Sequence, residues 1–563
     1  MSFIDWAQIL IFIIIIILIS PLVGRYMANV FEGKPTLLTP FLSWLEDFFY
    51  RICKITPSEE MSWKEYLKVV LVFNLLGFML LFLILILQGQ LPLNPQNLPG
   101  VPWDLAFNTT ASFITNTNWQ AYSGETTLSY FTQMVGLTTQ NFVSAATGIG
   151  VMLALIRGFT RKLTDKVGNF WADLTRSVIY ILLPLALVLA IILISQGVIQ
   201  TIRPYVEVTT LENEKQVIPR GPAASQIAIK LLGTNGGGFF GTNSAHPLEN
   251  PTAISNFFEH LAIVLIPSGL VFCFGYLVNS FKQGATLFYV IICFWVATIC
   301  ISGIASSQPN PALDLTLNME GIETRLGVSN SFFWIMSTTN TANGSTNSSI
   351  SSLAPLASGM AMFNIMLGEL FMGGIGVGIC VMLKFVLLSV FIAGLMVGRT
   401  PEYLGKKIEK NEILWVILAI FTPCALILLG AGISFILPVA TASISQSGPH
   451  GYSEILYAFS SAAGNNGSAF NGLNANTPYY NIILGFVMII ARLVIIVPSL
   501  AIAGCVGQKR YYPTSPGTLS TDNFLFGVLL SGIILIMGAL TFFPALILGP
   551  ILEHLLMIRG ATS

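Results

Sequence analysis

Four short stretches combine asparagine, threonine and glycine in a way that suits presenting oxygen atoms to a ligand: Thr115-Asn-Thr-Asn-Trp-Gln120, Thr234-Asn-Gly-Gly-Gly-Phe239, Ala342-Asn-Gly-Ser-Thr-Asn347 and Asn465-Asn-Gly-Ser-Ala-Phe470. The second position is asparagine in every copy (Asn116, Asn235, Asn343, Asn466), and the third is Thr117, Gly236, Gly344 or Gly467. Those third positions lie roughly 110 to 125 residues apart, the length of a repeated module of two helices and a loop. Glycine enters positive φ freely and lets the chain pass close to an axis, so successive carbonyls can be turned inward. Such carbonyls replace the hydration shell of a cation, whose transfer bare into hydrocarbon costs on the order of tens of kcal/mol. None of the four stretches contains Asp or Glu. A divalent-cation filter favours a ring of carboxylates, so an uncharged oxygen cage suits potassium or another monovalent ion. Asn118 and Gly237 complete the candidate filter. Thr117 stands where the other copies carry glycine and Trp119 is bulky, so a pore built from these loops is only pseudo-fourfold. One such stretch alone reads as a polar turn; four at this spacing, each between an outward-going and an inward-going apolar run, do not.

The elements that must position these loops are membrane helices. A chain of 563 residues that is 54% hydrophobic and 9% charged cannot bury its apolar residues in one water-soluble core. Net charge is zero and no Lys/Arg-rich run stands out, which argues against a nucleic-acid partner. The seven cysteines show no CxxC spacing and read as small core hydrophobes. Apolar windows predict ten spans near 6–26, 66–88, 130–156, 176–199, 256–279, 285–305, 353–398 (long and interrupted), 413–437, 480–505 and 523–549. Lys and Arg concentrate in alternate loops, including Lys34, Lys54, Arg161, Lys166, Lys282, Lys406, Lys407, Lys509 and Arg510, while the loop 202–220 mixes Glu207, Glu212 and Glu214 with a few bases, as a translocated loop can. By the positive-inside rule the basic loops are cytoplasmic, so both termini and all four polar loops are extracytoplasmic. A short apolar segment precedes each loop, at 105–114, 224–232, 329–336 and 453–460. About ten residues at 1.5 Å rise cross only half of a 30 Å hydrocarbon core, so these read as re-entrant half-helices. Irregular backbone survives at that depth only where protein or water surrounds it, so the loops should converge on one axis.

Tyr122-Ser-Gly-Glu-Thr-Thr-Leu-Ser-Tyr130, Gly233-Thr-Asn-Gly-Gly-Gly-Phe-Phe240, Ala245-His-Pro-Leu-Glu-Asn-Pro-Thr252, Gly398-Arg-Thr-Pro-Glu-Tyr-Leu-Gly-Lys-Lys407 and Gly448-Pro-His-Gly-Tyr-Ser-Glu454 closely resemble KdpA, the potassium-binding and translocating family of the bacterial potassium-transporting ATPases, over essentially the whole chain. The resemblance implies an all-α polytopic membrane protein of the potassium-channel and Trk-like superfamily. Four membrane-pore-membrane repeats are expected at 60–160, 170–282, 283–400 and 410–508, with extra helices within 1–30 and 520–563. It implies K+ as the transported ion and a lipid-embedded complex of the bacterial inner membrane. The partners implied are a catalytic P-type ATPase chain (KdpB-like), a single-span accessory chain (KdpC-like) and a small accessory chain (KdpF-like). The sequence has no Asp-Lys-Thr-Gly phosphorylation motif and no Walker A pattern, so by itself it is expected to bind no nucleotide and hydrolyse nothing. Gln120 is similar to a position the family uses for ion selectivity.

Below the loops, Glu369 lies in the seventh span and Arg492 in the ninth, and an intramembrane charge needs a partner or water. They could pair with each other, or Arg492 could snorkel. Gly373, Gly374 and Gly376 interrupt the seventh span; the resemblance implies a gating loop there, while close helix packing is the plainer alternative. Lys384 could line a wet vestibule or reach for the cytoplasm. Glu259 and His260 are expected to serve the outer interface, since no second metal ligand lies at helical spacing. The rival functional readings are a stand-alone Trk/Ktr-like potassium channel or transporter driven by membrane potential, and a non-transporting scaffold.

Overall fold

The computed structural model describes residues 2–368, 370, 372–398, 400–513 and 518–561. Among them, ten helices are long and apolar enough to cross a membrane, as the sequence predicts. Each repeat is a span, a short helix, a polar loop and a second span. The first uses Trp63–Gln90 and Thr132–Thr160, the second Phe170–Ser195 and Ala253–Leu277. The third uses Phe281–Ser306 and Val377–Val397, the fourth Lys410–Ile436 and Pro478–Gly507. The long seventh element resolves into two helices, Pro355–Met366 and Val377–Val397, of which only the latter has the length of a span.

The second span of each repeat lies inside. Thr139–Thr160, Ala253–Leu277, Val377–Val397 and Pro478–Gly507 pack on one another around a common axis. Small residues permit this closeness: Gly148 and Gly158 leave room for the backbones of Ile375 and Ala503. The first spans face outward and carry apolar side chains on their exposed sides, such as Leu75 and Leu80 on one and Ile433 on another. In the N-terminal helix Phe3–Phe31, Gly24 fits against Gly269 and Phe272 of Ala253–Leu277. The C-terminal helix Phe524–Leu546 leans on Phe281–Ser306 and on both halves of the seventh element.

The basic loops gather at the end opposite the polar ones. Met61–Ser62 pairs with Lys166–Gly168, and the buried Lys406 ammonium donates to the carbonyls of Arg161 (2.6 Å) and Lys509 (2.7 Å). Thr39–Ile52, between the first two spans, is tied down by Glu46, which accepts from Arg176 (2.9 Å) and Tyr180 (2.7 Å). Phe41, Trp44 and Phe48 line its outward side.

Candidate ion-binding ring

All four predicted half-helices are present, as Trp103–Ile114, Ala223–Leu232, Gly327–Asn340 and Gly448–Ala463. Each ends at its polar loop, so the negative ends of the helix dipoles point at the loops. The turn leaving each helix is closed by the same backbone bond. The carbonyls of Ser112, Lys230, Thr338 and Ser461 accept from the amides of Thr117 (2.9 Å), Asn235 (2.8 Å), Asn343 (3.1 Å) and Asn466 (2.9 Å). Positive φ recurs on either side of that residue: Thr234 and Gly236 (48° and 87°), Ala342 and Gly344 (48° and 84°), Asn465 and Gly467 (48° and 89°), Asn116 and Asn118 (64° and 56°).

This pattern corrects the alignment of the first loop by one residue. Asn118, not Thr117, occupies the glycine position, and Thr117 corresponds to Asn235, Asn343 and Asn466. Matching the shared asparagines misplaces it, because the feature the repeats share is backbone conformation. Asparagine is the side chain that best tolerates left-handed backbone, which is why Asn118 can stand in for glycine.

The loops close into a ring. A Cβ on Gly236 would collide with the carbonyl oxygen of Asn343, one on Gly344 with that of Asn466, and one on Gly467 with that of Thr117. The fourth junction is made by Asn116, whose amide donates to the carbonyls of Gly233 (3.2 Å) and Thr234 (2.9 Å). Asn343 caps the preceding half-helix through the carbonyls of Lys230 and Leu231 (both 3.2 Å), and Asn466 does the same to Thr338 (3.0 Å). These asparagine amides therefore hold neighbouring loops in register. Asn235 instead donates to Asn116 Oδ1 (2.6 Å). A cavity of about 690 Å³ opens above the ring, bordered by Asn118, Gln120, Gly236, Gly344 and Gly467. Gln120 clamps the second loop there, accepting from the Gly238 amide (3.0 Å) and donating to its carbonyl (3.1 Å). His246 borders the same cavity, stacked on Phe240 at 4.0 Å between ring centroids. Burial, aided by the nearby Arg325 charge, pushes its pKa down to about 4.

Beneath the ring, residues 372–376 lead into the second half of the seventh element, Val377–Val397. The Ile375 amide donates to Thr234 Oγ1 (2.9 Å) and the Gly373 amide to the Asn340 carbonyl (3.0 Å), so the segment hangs from the second and third loops. The Gly374 carbonyl accepts from Gly378 (2.8 Å) and starts the next helix. Gly376 has φ 76° and lies against the Gly148 carbonyl. The Arg492 guanidinium also comes up to Gly148. Glu369 lies outside the described residues, and so does its pairing with Arg492. Lys384 is buried and donates to the Ile495 carbonyl at 3.1 Å.

Behind the second loop lies a polar cluster that sequence reading missed. Lys230, fully buried in its half-helix, pairs with Glu249 and donates to Asn243 Oδ1 at 2.7 Å. Asn243 in turn donates to the Gly236 carbonyl at 2.7 Å. Ser244 bridges Glu249 (3.2 Å) and Glu259 (3.0 Å). The signal was a lone lysine in apolar company, Ile229-Lys-Leu-Leu232, followed by the Ala245 to Thr252 motif. Glu259 and His260 do not serve an outer interface: both are buried, and His260 meets Ser337 Oγ at 2.6 Å and stacks on Phe12 at 4.4 Å.

A family model described as "Potassium-transporting ATPase A subunit" matches residues 10–555. Relatives from Rhodospirillum centenum (52% identical, 98% of each chain) and Pseudomonas aeruginosa (51% identical, 97% of this chain and 98% of the relative) are named "Potassium-transporting ATPase potassium-binding subunit". The solved structure of the potassium transporter TrkH from Vibrio parahaemolyticus shares the fold, with a TM-score of 0.51 at 13% identity over 86% of this chain and 96% of that one.

Proposed function

Because the chain belongs to the family of potassium-transporting ATPase A subunits, we propose that it binds K+ selectively from the extracytoplasmic side at the ring of four loops and passes it on as the channel-like part of an ATP-driven uptake complex. The observation that carries this reading is the ring itself: four helix C-termini, four uncharged loops and positive-φ positions set against neighbouring carbonyls. Asn116, Thr117, Asn118, Asn235, Gly236, Gly237, Asn343, Gly344, Asn466 and Gly467 supply the backbone of the cage, and Gln120 fixes its rim. Uncharged oxygens suit a monovalent ion, and the lysine-rich loops at the far end support an extracytoplasmic ring and termini in the bacterial inner membrane. Gly373, Gly374 and Gly376 form the floor that must move or open for an ion to leave, with Arg492 beside it. ATP hydrolysis falls to a P-type ATPase partner, accompanied by a single-span chain and a small accessory chain.

The test is Gly236→Ser in cells whose only potassium uptake uses this chain. The added Cβ must displace the Asn343 carbonyl and tolerate φ 87°. The half-saturating K+ concentration should rise at least about tenfold, or other monovalent ions should enter. Unchanged discrimination in an assembled variant refutes the filter. The TrkH-like fold favours one other reading, a stand-alone transporter. Purification of the native chain always free of an ATPase would establish it over the pump.

A further inference from the structure

The four loops share one backbone pattern but not one support. At the position whose carbonyl closes each turn, three repeats carry a small hydroxyl residue, Ser112, Thr338 or Ser461; the second carries Lys230. The hydroxyls act locally. Ser112 donates to the Trp119 carbonyl (2.9 Å) and Ser461 Oγ accepts from the Gly467 amide (3.0 Å). Lys230 instead reaches out of its turn to Asn243 and Glu249, and Asn243 turns back to the Gly236 carbonyl. A hydrogen bond from a donor that is itself bound to an ammonium is polarised and strong, more so away from water. The donor's partial positive charge offsets part of the field of the carbonyl oxygen, and the bond fixes its direction. The backbone of Asn243 is left-handed, φ 56°, so the donor is delivered from a conformation asparagine tolerates well.

We propose that Lys230 and Asn243 form a strut that sets the position and field strength of the Gly236 carbonyl, making them specificity-determining positioning residues rather than ion ligands. Glu249 neutralises the buried ammonium, so the strut adds no net charge behind the ring. One wall of the ring thus presents a weaker, fixed oxygen, and the size and field that the ring offers are set asymmetrically. The inference rests on the ring being the K+ site.

Three variants test it in the native membrane complex, with K+ and Rb+ uptake measured over a range of concentrations. Asn243→Asp keeps a side chain that accepts left-handed backbone but removes the donor; Asn243→Gly keeps the backbone and removes the side chain. Both should raise the half-saturating K+ concentration about tenfold and narrow the K+/Rb+ preference about fivefold, with a smaller fall in maximal rate. Lys230→Met alone strands the Glu249 carboxylate and should reduce the amount of folded protein, whereas Lys230→Met with Glu249→Gln should restore folding but not the ion preference. Wild-type preference in the Asn243 variants or in the folded double variant overturns the strut. If Gly236→Ser also leaves preference unchanged, the ring reading fails with it; if Gly236→Ser alters preference while the strut variants do not, only the strut falls.

Discussion

At the scale of single residues, backbone conformation matters more than side-chain identity. Asn118 does the work of a glycine, and Thr117 the work of an asparagine, because what the ring needs at one position is a carbonyl facing its neighbour and at the next a φ between about +55° and +90°. His246 illustrates the opposite case, where the surroundings determine the side chain's chemistry. Its depressed pKa keeps it neutral at the mouth of the cavity in neutral and mildly acidic media, so it contributes no cation there. The unfolded chain, with a histidine pKa near 6.5, takes up a proton that the folded one refuses until about pH 4. Stability should therefore fall as pH drops from about 6.5 towards 4, and His246→Gln should flatten that part of the melting-temperature profile. An identical slope in the variant would show that His246 is not the responsible group.

At the scale of elements, the spans, half-helices and loop spacing were all legible in the sequence because membrane depth imposes length and hydropathy on each. The one-residue shift of the first loop was not, since it depends on which amide closes the turn, and nothing in Thr-Asn-Thr-Asn marks that. Lys230 was likewise invisible as a strut until its partners, distant by a loop, were placed beside it. The role of Asn343 also emerged only in three dimensions. It caps the half-helix of another repeat, so Asn343→Ala should cost on the order of 1 kcal/mol in stability and weaken K+ binding, read from melting with and without K+. The segment beneath the ring makes a separate prediction. Gly376→Ala must fit a Cβ against the Gly148 carbonyl at positive φ, a strain of about 1 to 3 kcal/mol. Transport should fall while the K+-induced rise in melting temperature persists; loss of both together would place Gly376 in ion binding itself.

At the scale of the whole molecule, one polypeptide supplies all four walls, and the proposed K+ site draws on every repeat. Occupying it should stabilise the entire fold by about 2.7 kcal/mol at a hundredfold excess over Kd. Thermal unfolding in K+ and in Na+ at equal ionic strength measures this, and equal melting temperatures would contradict a selective site. The ring also has an order of manufacture. The first loop leaves the ribosome long before the fourth, yet the Thr117 carbonyl meets its neighbour only when Gly467 arrives. Until the fourth loop is made the ring cannot close, so a chain cut short before it lacks one wall of the proposed ion site. Closure of the ring is thereby coupled to synthesis of the fourth repeat.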